Sequence, residues 1–241
     1  MEINPYLTEY MATVAQQSAA WDKLRLGRFT GSGISALMTD PKTKAAKEAG
    51  ELSETAKRYI YEKAMETVTG QSGNEATSRA IDWGNEWEEH ALLELKKAMQ
   101  SPDESTELKP SFKLFNEYFG CSPDAFMIHP EFGAVGCEIK CPWNSVNHFL
   151  HSSVNDGERL KSVNSDYYWQ ILGNCLTFNL PAWVFASYDP RQPEHRRLHY
   201  CVIEPEIEEL TLLCERMEAA HRMKVEVLEK WSNPNSFPNA E

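Results

Sequence analysis

The chain has 241 residues, 41% hydrophobic and 25% charged, enough for one substantial core and ordinary for a globular protein in water. A formal net charge of −12 excludes a protein that coats nucleic acid with its whole surface, but not one with a local basic cleft or with bound metal ions. No apolar run approaches the ~20 residues that cross a bilayer. "MEINPYLTEYMATVAQQ" carries no secretory signal pattern, so the six scattered cysteines are expected to be reduced thiols in a cytosol.

In chain order, Lys23, Arg25 and Arg28 form a basic cluster ahead of "TGSG", and "SGISALM" predicts a helix start capped by Ser32. "DPKTKAAKEAGELS" predicts a polar loop carrying Lys42, Lys44 and Lys47. From Ser53 to Thr69 the spacing predicts a helix with Ala56, Ile60, Ala64 and Val68 on one face, closed by Gly70. "QSGNEATSRA" is a connection to the helix "IDWGNEWEEHALLELKKAMQ". Its Glu88 shares a stripe with Gly84, Ala91, Leu92, Leu95 and Met99 and faces inward, whereas Glu86 lines up with Leu93 and Lys97 and faces water. An inward carboxylate needs a partner, because burying an unpaired charge forces its neutralisation.

"QSPDESTELKP" predicts a loop, and "SFKLFNEYFG" and "GAVGCEIKC" predict strands joined by the turn-rich "CSPDAFMIHPEFG". "SDYYWQILGNCLTF" predicts a helix, and "AWVFASYD" and "LHYCVIE" predict strands connected by "PRQPEHRR". A long helix from about Glu206 to Trp231 follows, with a loose tail over 232–241. The expected architecture is a single α/β domain over 1–231, with a mixed central sheet flanked by helices.

Side chains alternate along a strand, so Glu138 and Lys140 project together while Cys137, Ile139 and Cys141 point the other way. Asp124, just upstream, can reach the charged face. Two carboxylates held close repel unless a cation or proton lies between them, and an all-oxygen ligand set favours Mg²⁺ or Mn²⁺ over zinc. Such an ion stabilises charge on a phosphate and acidifies a water, which Lys140 can orient or deprotonate; Glu88 is the natural further ligand. Spacing alone also describes a surface salt-bridge ladder, Glu138 with Lys140. His148/His151 and His195/His199 have metal-like spacing but fall in predicted loops without paired acids, which makes them solvated histidines. Cys137 and Cys141 do not form a C-x-x-C turn, and no Gly-rich nucleotide cradle implies ATP.

"SPD" followed by "EIKCP" resembles the PD-(D/E)xK nuclease core, a restriction-endonuclease-like fold. The wider set "WDKLRLGRFTGS", "WGNEWEEHA", "CSPDAF", "CEIKCP", "YYWQ" and "ASYDPR…LHYCVIE" resembles, in order and spacing, the lambda-exonuclease branch, the YqaJ-like viral recombinases. The resemblance runs from about Trp21 to Glu204. It implies Asp124 and Glu138 as principal metal ligands, the Ile139 carbonyl completing the site, Glu88 as the upstream acid, Lys140 acting on the nucleophilic water, and Gln170 beside the metals. It further implies that Arg25, Thr30 and Ser32, with Ser122, grip a 5′-terminal phosphate, a chemistry suited to a guanidinium fork and hydroxyls. Arg28 and Lys42 are expected DNA contacts, and Ile81 an apolar wedge that parts the duplex.

The implied activity is Mg²⁺-dependent 5′-to-3′ digestion of one strand of linear duplex DNA, with Mn²⁺ as a substitute and two ions in the site. The product is a 3′ overhang for recombination. The implied setting is a ring-shaped homotrimer in a bacterial host cytosol, of phage or prophage origin, working with a single-strand annealing protein and no membrane. One position departs from the family pattern: an arginine six residues beyond the lysine is Val146 here, with Asn147, His148 or Arg28 as replacements. A non-catalytic DNA-end clamp and an endonuclease on the same fold are the alternatives.

Overall fold

The computed structural model describes residues 14–73, 79–101, 107–233 and 235–236. The predicted connection over 74–78, the loop over 102–106 and most of the predicted tail lie outside them.

Helix α1, Ala19–Arg25, begins where the Ser18 hydroxyl accepts the Trp21 N–H. Strand β1, Phe29–Thr30, leads directly into a helix over Gly31–Met38 that is 3₁₀ rather than α, with Thr30 and not Ser32 at its cap position. In this tighter winding Ile34 and Leu37, three apart, stack on one buried face. The predicted polar loop contains α2, Lys44–Glu48, because the Thr43 hydroxyl caps the Ala46 N–H.

Helix α3, Glu54–Thr69, is bounded as its signals predict, by Ser53 accepting from Ala56 and by Gly70 in the left-handed region. Val68, however, is exposed. Each i+4 step turns the helix by about 40°, so three steps carry Val68 about 120° away from the Ala56 face. Glu66 is buried instead, and its carboxylate accepts from Lys63 Nζ at 2.9 Å and from the Gly27 N–H at 2.9 Å.

Helix α4, Arg79–Met99, buries Ala91, Leu92, Leu95 and Met99. It packs them on a five-stranded sheet ordered β2 (Glu107–Leu108), β5 (Ala125–His129), β6 (Gly133–Lys140), β7 (Trp183–Tyr188), β8 (Leu198–Ile203), in which only β6 and β7 run parallel. The partners of α4 are Val135, Cys137 and Ile139 of β6 with Val184 and Ala186 of β7, each fully buried aliphatic side chain contributing about 1.5–3 kcal/mol. Two short strands, β3 (Lys113–Leu114) and β4 (Phe119–Cys121), join β1 in a second small sheet.

Three expectations change here. "SFKLFNEYFG" splits into β3 and β4, because Asn116 Oδ1 accepts the Tyr118 and Phe119 N–H groups and turns the chain. The segment expected to be turn-rich carries β5, and Glu107–Leu108, expected as loop, pairs with it.

The parallel β6–β7 pair demands a crossover, and three helices fill it: α5 (Ser145–His151), α6 (Gly157–Val163) and α7 (Ser165–Phe178). Only α7 is predicted from sequence. On the far face of the sheet, α7 packs with the 3₁₀ helix, α3 and the long α8 (Ile207–Ser232) over Phe126, Trp183 and Phe185. Gly136 of β6 lies opposite Trp183 of β7, and a Cβ there would enter the indole ring. Gly136→Ala is therefore expected to lower stability by about 1–3 kcal/mol in urea unfolding. A loss within experimental error would show that Trp183 swings aside freely.

The histidines correct a further expectation. His148 and His151 lie on α5, buried against Ser187 of β7. His148 Nε2 is 2.8 Å from the Arg196 carbonyl and so carries its proton there; His148 Nδ1 then accepts from Ser187 Oγ at 2.9 Å, and His151 Nδ1 donates to the same oxygen at 3.1 Å. Burial, followed by His148 and Lys140, pushes His151 down to about 4. A folded-state value below the unfolded one means that the unfolded chain gains a proton first. Stability should thus be intact above about pH 6.5 and fall toward pH 4, by at most about 3 kcal/mol from this group. His151→Asn, which keeps a polar atom near the Nδ1 position, should flatten that part of a denaturation-versus-pH profile; an unchanged slope would remove His151 as its source.

Among the described residues, no helix is long and apolar enough to cross a membrane. All six cysteines are free thiols, four of them buried.

Candidate active site

The alternation of β6 sends Glu138 and Lys140 toward α7, so the charged face is covered by a helix rather than bathed in water. Glu138 is only 1% exposed. Its Oε1 accepts from Lys140 Nζ at 2.5 Å and from Gln170 Nε2 at 2.6 Å, and its Oε2 accepts from Asn174 Nδ2 at 3.1 Å. Gln170 and Asn174 can both reach it because residues four apart share a helix face. Gln170 Oε1 accepts a weaker bond from Lys140 at 3.4 Å, and the Tyr167 ring, one turn earlier, lies 4.7 Å from the same ammonium. Burial pulls Lys140 down, but Glu138 and Asp124 outweigh it and leave its proton held more tightly than usual.

Asp124 sits at the entry to β5. Its main-chain N–H donates to the Cys137 carbonyl at 3.2 Å, its carbonyl accepts from the Lys109 N–H at 2.8 Å, and its Oδ2 accepts from the Ile139 N–H at 2.6 Å. The carboxylate is thus stapled to the strand that carries Glu138. Burial first, then Glu138 and Glu88 as like charges, push its pKa well above the usual range, with Lys140 opposing. Asp124 is shared by two cavities. One of about 330 Å³ is lined by Glu88, Glu89, Leu92, Lys109, Asp124 and Ile139. The other, of about 170 Å³, brings Asp124 together with Glu138, Lys140 and Gln170.

The donor set fits a hard divalent cation: carboxylate oxygens, a main-chain carbonyl nearby, and an aspartate whose like-charged neighbours a cation would relieve. Among the described residues no three acids, histidines or cysteines form a ready cage, so Glu88 does not join Asp124 and Glu138 in one cluster. Glu88 instead pairs with Lys109 Nζ at 3.5 Å, across the first cavity. Glu86 and Glu89 are exposed.

The four residues expected at a terminal phosphate, Arg25, Thr30, Ser32 and Ser122, line the second cavity with the charged strand face. The Arg25 guanidinium lies over the Trp21 ring, 3.8 Å from its centroid, and Trp21 Nε1 donates to Ser122 Oγ at 2.9 Å. One indole therefore sets both a guanidinium and a hydroxyl. Thr30 and Ser32 hydroxyls stand 3.5 Å apart. Arg28 is not brought in: its guanidinium donates to the Glu117 and Leu24 carbonyls. Lys42 is exposed ahead of α2, and Ile81 is exposed in the first turn of α4.

Val146 is 59% exposed and outside the cavity. None of its three expected replacements lines the cavity either: Asn147 faces solvent, His148 is buried on Ser187, and Arg28 is held by backbone. Sequence reasoning missed Trp21, Asn174, Tyr167 and Lys109. Asn174 and Tyr167 were findable, at helical spacing from Gln170; Trp21 and Lys109 reach the site from elements distant in sequence and leave no local signal.

A family model described as the YqaJ-like viral recombinase domain matches residues 20–177. Among solved structures, the chain is similar to the alkaline exonuclease LHK-Exo from Laribacter hongkongensis, at 21% identity and TM-score 0.69 over 88% of this chain and 95% of that one. The same enzyme in complex with dAMP matches at 22% identity, TM-score 0.69, over 88% and 95%. A phage-related exonuclease from Haemophilus somnus 129PT matches at 21% identity and TM-score 0.69, over 85% and 96%. At these identities the likeness establishes the mixed α/β fold. No curated protein matches the chain in sequence.

Proposed function

The chain belongs to the YqaJ-like viral recombinase family, and from that premise we propose that it is a metal-dependent exonuclease that degrades one strand of linear duplex DNA from the 5′ end. The observation that carries the reading is the single cavity lined at once by the Asp124–Glu138–Lys140 face and by Arg25, Thr30, Ser32 and Ser122. Hydrolytic groups and an anion grip in one small space suit a strand terminus. An endonuclease has no use for the grip, and a clamp has no use for the lysine–acid pair.

Asp124, Glu138 and the Ile139 carbonyl would hold a divalent ion, which would supply charge neutralisation at the scissile phosphate and acidify water; Asp124, shared by both cavities, and Glu88 would hold a second. Lys140, hydrogen-bonded to Glu138 and Gln170, stands where it can orient or deprotonate the attacking water or neutralise charge on the phosphate. Gln170 and Asn174 fix Glu138, and Tyr167 limits where the ammonium can swing. Arg25 and the hydroxyls hold the terminal phosphate, so that the first linkage meets Lys140. The homotrimeric ring and the annealing-protein partner belong to the same reading: a closed ring retains DNA without a broad basic surface, which a net charge of −12 requires.

The decisive experiment digests linear duplexes labelled at the 5′ or the 3′ terminus, with and without a terminal phosphate, alongside covalently closed circles. Mg²⁺-dependent release of 5′ mononucleotides with circles spared is expected; because the Val146 position supplies no second arginine, hydroxyl ends should still be digested, slowed by no more than the roughly ten- to a hundredfold that the Arg25 contact contributes. Cutting of closed circles would replace the reading with an endonuclease. Mg²⁺ or Mn²⁺ should also raise the thermal midpoint, by roughly 2–3 kcal/mol of stability at a hundredfold excess over Kd, and Asp124→Asn should abolish that rise. An equal rise in the variant would place the ion elsewhere.

A further inference from the structure

Beyond the cleft, the end of β6 runs into a second arrangement that the reaction as described does not use. Trp143 lies three residues past Lys140, its Cα no more than about 11 Å further along the chain, and its side chain is 48% exposed. Its ring meets Trp83 of α4 edge to face at 5.4 Å. The Arg191 guanidinium lies over both indoles, 4.5 Å from the Trp83 centroid and 6.0 Å from that of Trp143.

The guanidinium is held in place. Arg191 Nε donates to Asp189 Oδ1 at 2.7 Å and Nη2 to Oδ2 at 3.1 Å, and Nη2 also donates to the Pro142 carbonyl at 3.2 Å. Asp189 is fully buried, and Ser145 Oγ and Gln192 Nε2 donate to its Oδ2 as well. Five side-chain and main-chain donors on one buried carboxylate leave Arg191 little freedom to leave the rings. The result is a rigid, partly exposed aromatic cluster, with the Trp143 ring as its accessible π face. The connection that carries it also exposes Arg196 and Arg197, a basic edge on an acidic protein.

From this we infer that Trp143, backed by Trp83 and Arg191, is a stacking platform for an unpaired nucleobase of the DNA strand, just past the end of the strand that carries Lys140. The inference rests on the proposed nuclease reading and extends it to a binding surface. Indole and guanidinium planes stack on any base, so the platform would be indifferent to sequence. Because Arg191 is already neutralised by Asp189, its contribution comes through stacking rather than through release of counterions. That sets a signature: removing the ring should weaken binding without changing the salt dependence.

The test measures anisotropy of a fluorescent oligo-dT against the full chain in EDTA, across a salt series, for the parent protein, Trp143→Ala and Trp143→Phe, with assembly mass followed by light scattering. The expected result is a Kd roughly ten- to a hundredfold weaker for Trp143→Ala at an unchanged slope of log K against log salt, with Trp143→Phe retaining most of the affinity. Unchanged affinity in Trp143→Ala, or no single-strand binding by the parent chain, overturns the platform. So does a weakening that tracks a change in assembly mass, since the ring then belongs to a protein–protein contact. Failure of the parent protein to digest linear duplex in Mg²⁺ would instead overturn the nuclease reading itself.

Discussion

Replacing Lys140 with alanine is expected to reduce Mg²⁺-dependent release of nucleotides from a linear duplex by at least about a hundredfold, and by up to about ten-thousandfold, the range for loss of a positioned proton or charge donor. The ammonium is fixed by Glu138, Gln170 and the Tyr167 ring, so nothing mobile stands ready to replace it. The alanine leaves Glu138 with its two amide donors, Gln170 and Asn174, which protects the fold. A circular dichroism spectrum close to that of the parent protein should therefore accompany the loss, with a lower melting midpoint because Glu138 loses its buried charge partner. Asp124→Asn should do the same by a different route, since the amide keeps the shape and the acceptor for the Ile139 N–H but removes the charge. Single-turnover digestion with chemical quench checks both; a variant of either kind that retains full turnover would remove its residue from the chemistry.

The second large effect is expected at the end grip. Arg25→Ala should slow initiation on 5′-phosphorylated ends by roughly ten- to a hundredfold, the equivalent of one charge-assisted contact of about 1.5–3 kcal/mol. The step size once digestion has begun should change less. Trp21 makes a useful companion, because it carries both the Arg25 guanidinium and the Ser122 hydroxyl. Trp21→Phe keeps a ring under Arg25 but removes the indole N–H, so it should fall between the parent and Arg25→Ala. Initiation rates come from a lag assay on phosphorylated and hydroxyl ends; equal slowing on both would mean that Arg25 serves the strand and not its terminal phosphate.

The site was unevenly legible. Strand alternation alone put Glu138 and Lys140 on one face, and helical periodicity alone chose Glu88 over Glu86 as the half-buried acid. Both rules are local: a backbone in a regular conformation dictates where the next side chain points, whatever else the chain does. The same rules failed where the winding changed or the turn chemistry was subtle. The 3₁₀ segment over Gly31–Met38 moved Ser32 off the cap position. The small helix α5, too short for a periodic signal, turned two supposedly solvated histidines into buried partners of Ser187.

What covers a face is a different matter from which way it points. Gln170 reaches Glu138 from 32 residues away and Trp21 reaches Ser122 from 101. No pattern in either segment announces its partner. Those meetings follow from how α4 and α7 clamp opposite sides of one sheet, and they decide which carboxylate is desolvated, which lysine keeps its proton and which arginine faces the cavity. Charge type and side-chain direction were written in the order of residues. Dielectric environment, pairing and reach arose only when elements far apart in the chain excluded water together, because electrostatic energies depend on the three-dimensional neighbourhood and not on neighbours in sequence.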